Sequence, residues 1–200
     1  MYDRKELIII YIDIRSLRNK LDDLKNILEQ EEQEIPFVFS TETWLYPNET
    51  DLFSLDDYES VHNCRNTRGG VNSIYIRKNI HFKNNSIEDI EPGESNILSI
   101  YLTRHEYSLW AIYKPSGSTA SVFLEEIDNK NSLTVECATR TTRNTASIID
   151  HVLTTDNVYC KIDIRDHVIS DHKISNIMLT TDCDTTKKKK LKKSKLIRRK

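Results

Sequence analysis

The chain opens on a continuous apolar run, Leu7-Ile8-Ile9-Ile10-Tyr11-Ile12, that extends to Ile14. Short, unbroken and rich in β-branched residues, it predicts a strand buried on both faces. Leu17, Leu21, Leu24 and Leu28 then recur at steps of four, three and four, while Lys20, Asp22, Asp23, Lys25 and Glu29 fall elsewhere on a helical projection. This is an amphipathic helix that ends in the polar stretch from Gln30 to Glu34. Pro36 begins a second apolar strand, Phe37-Val38-Phe39-Ser40-Thr41. Strand, helix and strand within about 40 residues make a βαβ-like opening, which an all-α or all-β protein would not show.

Beyond Glu42 the period changes. Residues 58–62, 70–77, 97–103 and 107–113 are short alternating or apolar runs, separated by clusters such as Arg68-Gly69-Gly70 and Glu91-Pro92-Gly93. They predict antiparallel strands and hairpins. A weak helix is expected at 121–128, and 129–145 is polar and structureless by pattern. Three more strands are expected at 148–154, 158–164 and 173–179. There is no internal repeat. The pattern as a whole is α/β, with mixed or antiparallel sheets packed face to face under flanking helices.

Charge divides the chain in two. The formal net charge is −2, yet residues 187–200 hold ten Lys/Arg and no acid, leaving 19 basic against 31 acidic residues, or about −12, on the body. A body so acidic does not attract nucleic acid through its overall field, so any phosphate chemistry must be local and screened by a cation. The expected organisation is one domain over 1–182 and a disordered polybasic tail over 183–200, which cannot bury apolar area. That tail is either a solvated basic segment or a nuclear-import or phosphate-binding one. Cys64, Cys137, Cys160 and Cys183 form no C-x-x-C pair and match no common zinc spacing, which suits reduced thiols. No signal peptide and no membrane-length apolar segment is evident, so a nuclear or cytoplasmic protein, not secreted and not membrane-bound, is expected.

The candidate chemistry lies in acidic residues at strand ends. Asp13 closes the first strand, Glu42 follows the second, and Asp171 precedes the last. Carboxylates that converge at strand ends suit a hard divalent cation, with water and phosphate oxygens completing its shell. Each alone is equally well a turn or capping residue. His172, beside Asp171, is able to donate to a phosphate oxygen or move a proton near neutral pH. Asp150, within an otherwise apolar strand, needs a partner if buried; pairing with His172 would fix the imidazole tautomer, and capping a neighbouring loop is the plain alternative.

Taken together, six segments resemble the endonuclease domains of LINE-type (non-LTR) retrotransposons, within the endonuclease/exonuclease/phosphatase superfamily. Asp13-Ile14-Arg15-Ser16-Leu17-Arg18-Asn19-Lys20 is similar to their N-I-R-S-L-R-N-K, and Thr41-Glu42-Thr43-Trp44-Leu45 matches T-E-T-W-L. Arg68-Gly69-Gly70-Val71, with Ile74-Tyr75-Ile76-Arg77 after it, resembles their Gly-rich hairpin, and Ile112-Tyr113-Lys114-Pro115 resembles x-Y-R-P. Thr139-Arg140 through Ser147-Ile148-Ile149-Asp150-His151-Val152-Leu153-Thr154 is similar to T-R…S-x-x-I-D-H-V-x-T, and Ile169-Ser170-Asp171-His172 matches x-S-D-H. The segments fall in the family's order across roughly residues 7–180, and that ordered set is what makes the resemblance specific.

The resemblance implies a four-layered α/β sandwich of two packed mixed sheets flanked by helices, which hydrolyses DNA phosphodiesters with Mg²⁺ (or Mn²⁺). It assigns Glu42 to the metal and Tyr113 to the scissile phosphate. Asp150 orients His172, His172 stabilises charge on phosphate oxygens, and Asp171 helps hold the metal or nucleophile side. Arg140 and Asn144 contact substrate. DNA is the implied partner, with a reverse-transcriptase domain encoded downstream; oligomeric state has no signal. Two departures stand out. Asp13 replaces the family's Asn, removing an amide donor and adding a negative charge unless Asp13 itself binds metal. The central G-D-F-N strand is absent, because the chain is shortened near 124–139. The missing Asp and Asn are each worth a few powers of ten in rate, and the lost strand is expected to expose backbone groups on its neighbours. An impaired or inactive enzyme is therefore expected, with a nonenzymatic nucleic-acid-binding relic, using the groove and basic tail, as the alternative.

Overall fold

A computed structural model describes residues 6–64, 71–91, 95–104, 107–113, 132–135, 140–141, 146–147, 151–155, 158–165, 169–170, 172 and 174–181. The first strand, β1 (Glu6–Asp13), is followed by α1 (Leu21–Gln30) and β2 (Phe37–Thr41). β1 and β2 are parallel neighbours, Ile9 facing Phe37 and Asp13 facing Thr41, so the βαβ-like opening is present. The helix begins at Leu21, later than the leucine spacing suggests. Leu17 lies in the preceding turn, fully buried against the same core as Leu24 and Ile27.

The remaining strands are β3 (Tyr58–Asn63), β4 (Asn72–Arg77), β5 (Phe82–Glu91), β6 (Ser95–Leu102), β7 (Tyr107–Tyr113), β8 (Ser132–Val135), β9 (Arg140–Thr141), β10 (Ala146–Ser147), β11 (His151–Thr155), β12 (Val158–Arg165) and β13 (Ile174–Thr181). They form a six-stranded sheet in the order β12-β13-β1-β2-β4-β3, a five-stranded sheet in the order β5-β6-β7-β11-β8, and the small pair β10-β9. The first sheet is mixed through its β1–β2 pair; the second is antiparallel at each of its pairings. Two stretches depart from the sequence pattern. β5 is too polar to read as a strand, and 129–145, expected to be structureless, contributes β8 and β9; β5 pairs with β6, β8 with β11 and β9 with β10, and that pairing supplies what the local pattern does not. The helix expected at 121–128 and the tail from 182 onward lie outside the described residues.

β1 shows why two cores form. By strand alternation Leu7, Ile9 and Tyr11 face the second sheet, where with Phe37, Phe39 and Ile74 of their own sheet they share a core with Ile100 and Ala111. Ile10, Ile12 and Ile14 face the opposite way, onto Leu24 and Ile27 of α1 and onto Val38 and Tyr75. An uninterrupted apolar strand is thus one that is covered on both sides. The architecture is an α/β sandwich of two packed sheets with α1 on the outer face of the first. The shortened stretch near 124–139 leaves no open seam beside β7, because β7 bonds β6 on one edge and β11 on the other.

Candidate active site

Parallel pairing ends β1 and β2 side by side, with Asp13 opposite Thr41 and Glu42 one residue further on. Both chains then turn sharply. Arg15 (φ 46°), Ser16 (φ 81°), Glu42 (φ 51°) and Trp44 (φ 57°) occupy the left-handed region, at a cost of about 1–3 kcal/mol for each non-glycine residue. The two turns hold each other in place. Ile14 N donates to Thr41 O (3.1 Å), Ser16 N to Glu42 O (2.8 Å), Leu17 N to Thr43 O (3.0 Å) and Thr43 N to Val71 O (3.1 Å). Lys20 Nζ donates to the carbonyls of Ile14 (2.5 Å) and Arg15 (3.1 Å), and Arg18 pairs with Glu49. Strain that the surroundings enforce so fully marks a turn kept for its geometry. Glu42→Gly should therefore leave thermal stability unchanged or raise it by up to ~1 kcal/mol, despite loss of the partly exposed Arg15 Nε–Glu42 Oε2 contact at 3.6 Å. A calorimetric melt shifted clearly downward would show that the turn is not strained.

His172 joins this end of the sheet from the far end of the chain. Its side chain is 4% exposed, that of Asp13 is 3% exposed, and His172 Nδ1 lies 3.6 Å from Asp13 Oδ2. Ser170 brings them together: its hydroxyl donates to the Asp13 carbonyl (2.7 Å) and accepts from the His172 backbone N–H (3.0 Å). Ser170→Ala should cost about 1–2 kcal/mol and speed amide exchange at His172 more than at strand β13; equal protection in both proteins would rule out the hydroxyl as the tether.

A second polar chain supports the Glu42 turn from below. The His62 ring Nδ1 is 2.7 Å from Ser73 Oγ, Ser73 Oγ donates to Thr43 Oγ1 (3.5 Å), and Thr43 Oγ1 donates to Val71 O (3.4 Å). Next to them, Asn72 Nδ2 donates to Ala111 O (3.2 Å), which ties the Glu42 side of the first sheet to the end of β7 in the second. Burial pushes the His62 imidazole down to about 4, against a weaker opposing pull from Asp51. The fold thus favours the neutral ring: as pH falls through 6.5 the unfolded chain takes up a proton that the folded chain refuses until about 4. Stability should fall by about 3 kcal/mol across that window. In denaturant titrations His62→Gln should remove this part of the acid slope, and an unaltered slope would exclude His62 as its source.

The residues singled out from sequence sort as follows. Glu42, Asp13 and His172 come to one end of the first sheet, Asp13 and His172 in direct contact. Tyr113 ends β7 opposite Asn96, and the neighbouring Ile112 faces His151 at the start of β11. Arg140 lies in β9 opposite Ser147. Asp150, Asp171 and Asn144 lie outside the described residues. The Asp13–His172 contact was not anticipated, nor were Ser170, Asn72, Ser73 and His62 as supports; adjacent polar residues in the otherwise apolar β4 were the available signal. A groove of about 630 Å³, lined by Ile8, Glu31, Ile35, Lys161, Arg165 and Met178 among others, shares no residue with this site.

Among the described residues no group of three or more His, Cys, Asp or Glu side chains forms a metal cluster. Mg²⁺ is commonly held by only one or two carboxylates, with water and substrate oxygens doing the rest. Oxygen donors at adjacent strand ends fit Mg²⁺ or Mn²⁺ in type.

The fold is shared with solved structures of TDP2, of the 3′ phosphatase NExo and of a retrotransposon endonuclease domain. A humanised D. rerio TDP2 carrying 14 mutations superposes with a TM-score of 0.65 at 15% identity, over 89% of this chain and 100% of that one. The endonuclease domain of TRAS1, a telomere-specific non-LTR retrotransposon, gives 0.63 at 8% identity, over 88% and 98%. The 3′ phosphatase NExo from Neisseria, bound to a product DNA hairpin, gives 0.55 at 12%, over 88% and 99%. No protein-family model matches the sequence, and neither does any curated protein. No helix among the described residues is long and apolar enough to cross a membrane.

Proposed function

We propose that this chain is a retrotransposon-type endonuclease domain that hydrolyses DNA phosphodiesters with Mg²⁺ or Mn²⁺, slowed by its internal shortening. The supporting observation is that the strand ends leading to Asp13 and Glu42 lie side by side and that His172 lies 3.6 Å from Asp13, although 130 positions separate Glu42 from His172. The fold shared with TRAS1 endonuclease and with NExo bound to product DNA supports the same reading.

Glu42, on a strained turn with a partly exposed side chain, is the residue to hold the cation, with Asp171 serving the metal or nucleophile side. Once bound, the cation polarises a phosphate oxygen and offsets charge that develops there. His172 stabilises the negative charge growing on the phosphate, the largest demand in such a reaction. Tyr113, Arg140 and Asn144 contact the DNA, and Asp150 acts through His172. No G-D-F-N segment supplies an acid to orient the attacking water, a loss of about 10²–10⁴ in rate. A reverse transcriptase encoded downstream is the expected companion.

The purified full chain, incubated in excess with supercoiled plasmid and Mg²⁺, should convert it slowly to open circles, and EDTA should stop the conversion. Plasmid left intact relative to buffer alone would count against enzymatic activity and favour a nonenzymatic binding role.

A further inference from the structure

Two features take no part in the proposed chemistry: the groove of about 630 Å³ on the outer face of the six-stranded sheet, and the basic segment 187–200. We propose that the groove is the docking site of that segment, which follows the last strand and is held there by opposite charge. Neither feature depends on whether the domain cleaves DNA.

Sheet register sets the floor of the groove. Ile8 stands opposite Met178, and Met178 opposite Lys161, so one row crosses β1, β13 and β12. Further along the sheet Leu24 and Ile27 of α1 pack with Ile10, Ile12 and Val38, whereas Ile8, Asn176 and Met178 are only partly buried. The end of α1 and the turn after it, Gln30 to Gln33, form one wall. Its charge is wrong for a helix end. The last turn holds no basic residue, and Glu29, Glu31, Glu32 and Glu34 cluster where the helix already presents unpaired carbonyls and the negative end of its dipole. Arg165 answers Glu31 at 2.6 Å and Arg77 reaches Glu34 at 3.8 Å. Glu29 and Glu32 are exposed, with no ion pair among the described residues. Added cations suit this wall.

The segment matches the groove in charge, apolar content and reach. It holds ten Lys/Arg and no acid, and its only apolar residues are Leu191, Leu196 and Ile197, complements for Ile8 and Met178 on the floor. Thr181, the last residue of β13, is three residues past Met178, or about 10 Å along a strand. The six residues from Thr181 to Lys187 span up to about 20 Å, enough to turn back over the groove. Being tethered, the segment meets this wall at a high effective concentration. Its attraction is between largely exposed charges, so the docking is sensitive to salt.

Trypsin cleavage within 187–200 of the full chain, compared with a free peptide of residues 185–200, tests the docking. At low salt the chain should be cut in this segment at least about fivefold more slowly than the peptide, and at the peptide's rate in about 0.5 M salt, where charges are screened within a few ångströms. Glu29→Lys with Glu32→Lys should restore the peptide's rate at low salt. Asp56→Lys with Glu59→Lys, the same charge change at exposed positions outside the groove, should not. Carbodiimide coupling of the wild-type chain needs no variant to fold, and should join lysines of the segment to Glu29 and Glu32 in preference to Asp56 and Glu59. Cleavage at the peptide's rate at low salt, slowing that survives Glu29→Lys with Glu32→Lys, or couplings spread evenly over the four acids would each overturn the proposal. So would slowing that grows with protein concentration, which would seat the segment on a second copy of the chain.

Discussion

Glu42→Ala and His172→Ala should each lower Mg²⁺-dependent plasmid nicking by about 100- to 1,000-fold, the loss typical of removing one group that stabilises transition-state charge. Neither change should unfold the protein. Alanine keeps the left-handed backbone of position 42, so the truncation removes a partly exposed carboxylate and little packing. His172 is buried, and its loss leaves Asp13 without the ring at 3.6 Å, costing some stability but not the core. The two variants should differ in one respect: added Mg²⁺ should partly restore Glu42→Ala and should not restore His172→Ala, because only the first weakens cation binding. The double variant should be no slower than the worse single one if both groups act on the same phosphate. Nicking that survives in both single variants at wild-type rate would place the chemistry elsewhere, or in a contaminant.

Phe39→Ala should destabilise the domain by about 3–5 kcal/mol, the usual cost of emptying an aromatic site in a packed core. Phe39 is fully buried and faces Tyr11 across β1 and Ile74 across β4, at the centre of the inter-sheet core. It sits two residues before Thr41, so the same change should also loosen the turn that carries Glu42. With total stabilities of about 5–15 kcal/mol, urea melts of the variant should show a much lower midpoint with a similar slope. A midpoint close to wild type would mean that the two sheets do not share this core as described.

Strand ends explain how much of this was legible beforehand. The run at 7–14, the helix after it and the strand at 37–41 follow from the spacing of apolar residues, and the structure places them within a few residues of expectation. Local periodicity suffices there because burial on one face or two imposes it directly. β5 was not legible because most of its residues are polar, and β8 because four alternating residues are too short a run to stand out in a polar stretch; both are completed by neighbouring strands. The same limit applies to the site. Glu42 and His172 stood out through motif order, whereas Ser170, Asn72 and His62 gain their roles only from residues 157, 39 and 11 positions away.

What the amino-acid order determined alone is the α/β class, the parallel opening pair, the acidic body with its basic end, and the identity of the polar residues at strand ends. Tertiary structure decided which of those residues meet. Parallel pairing of β1 with β2 set Asp13 beside the Glu42 turn, and the Ser170 bracket delivered His172 to Asp13. Hydrophobic pattern is a property of a segment read by itself, but a contact between distant side chains depends on sheet order and register, which no single segment encodes.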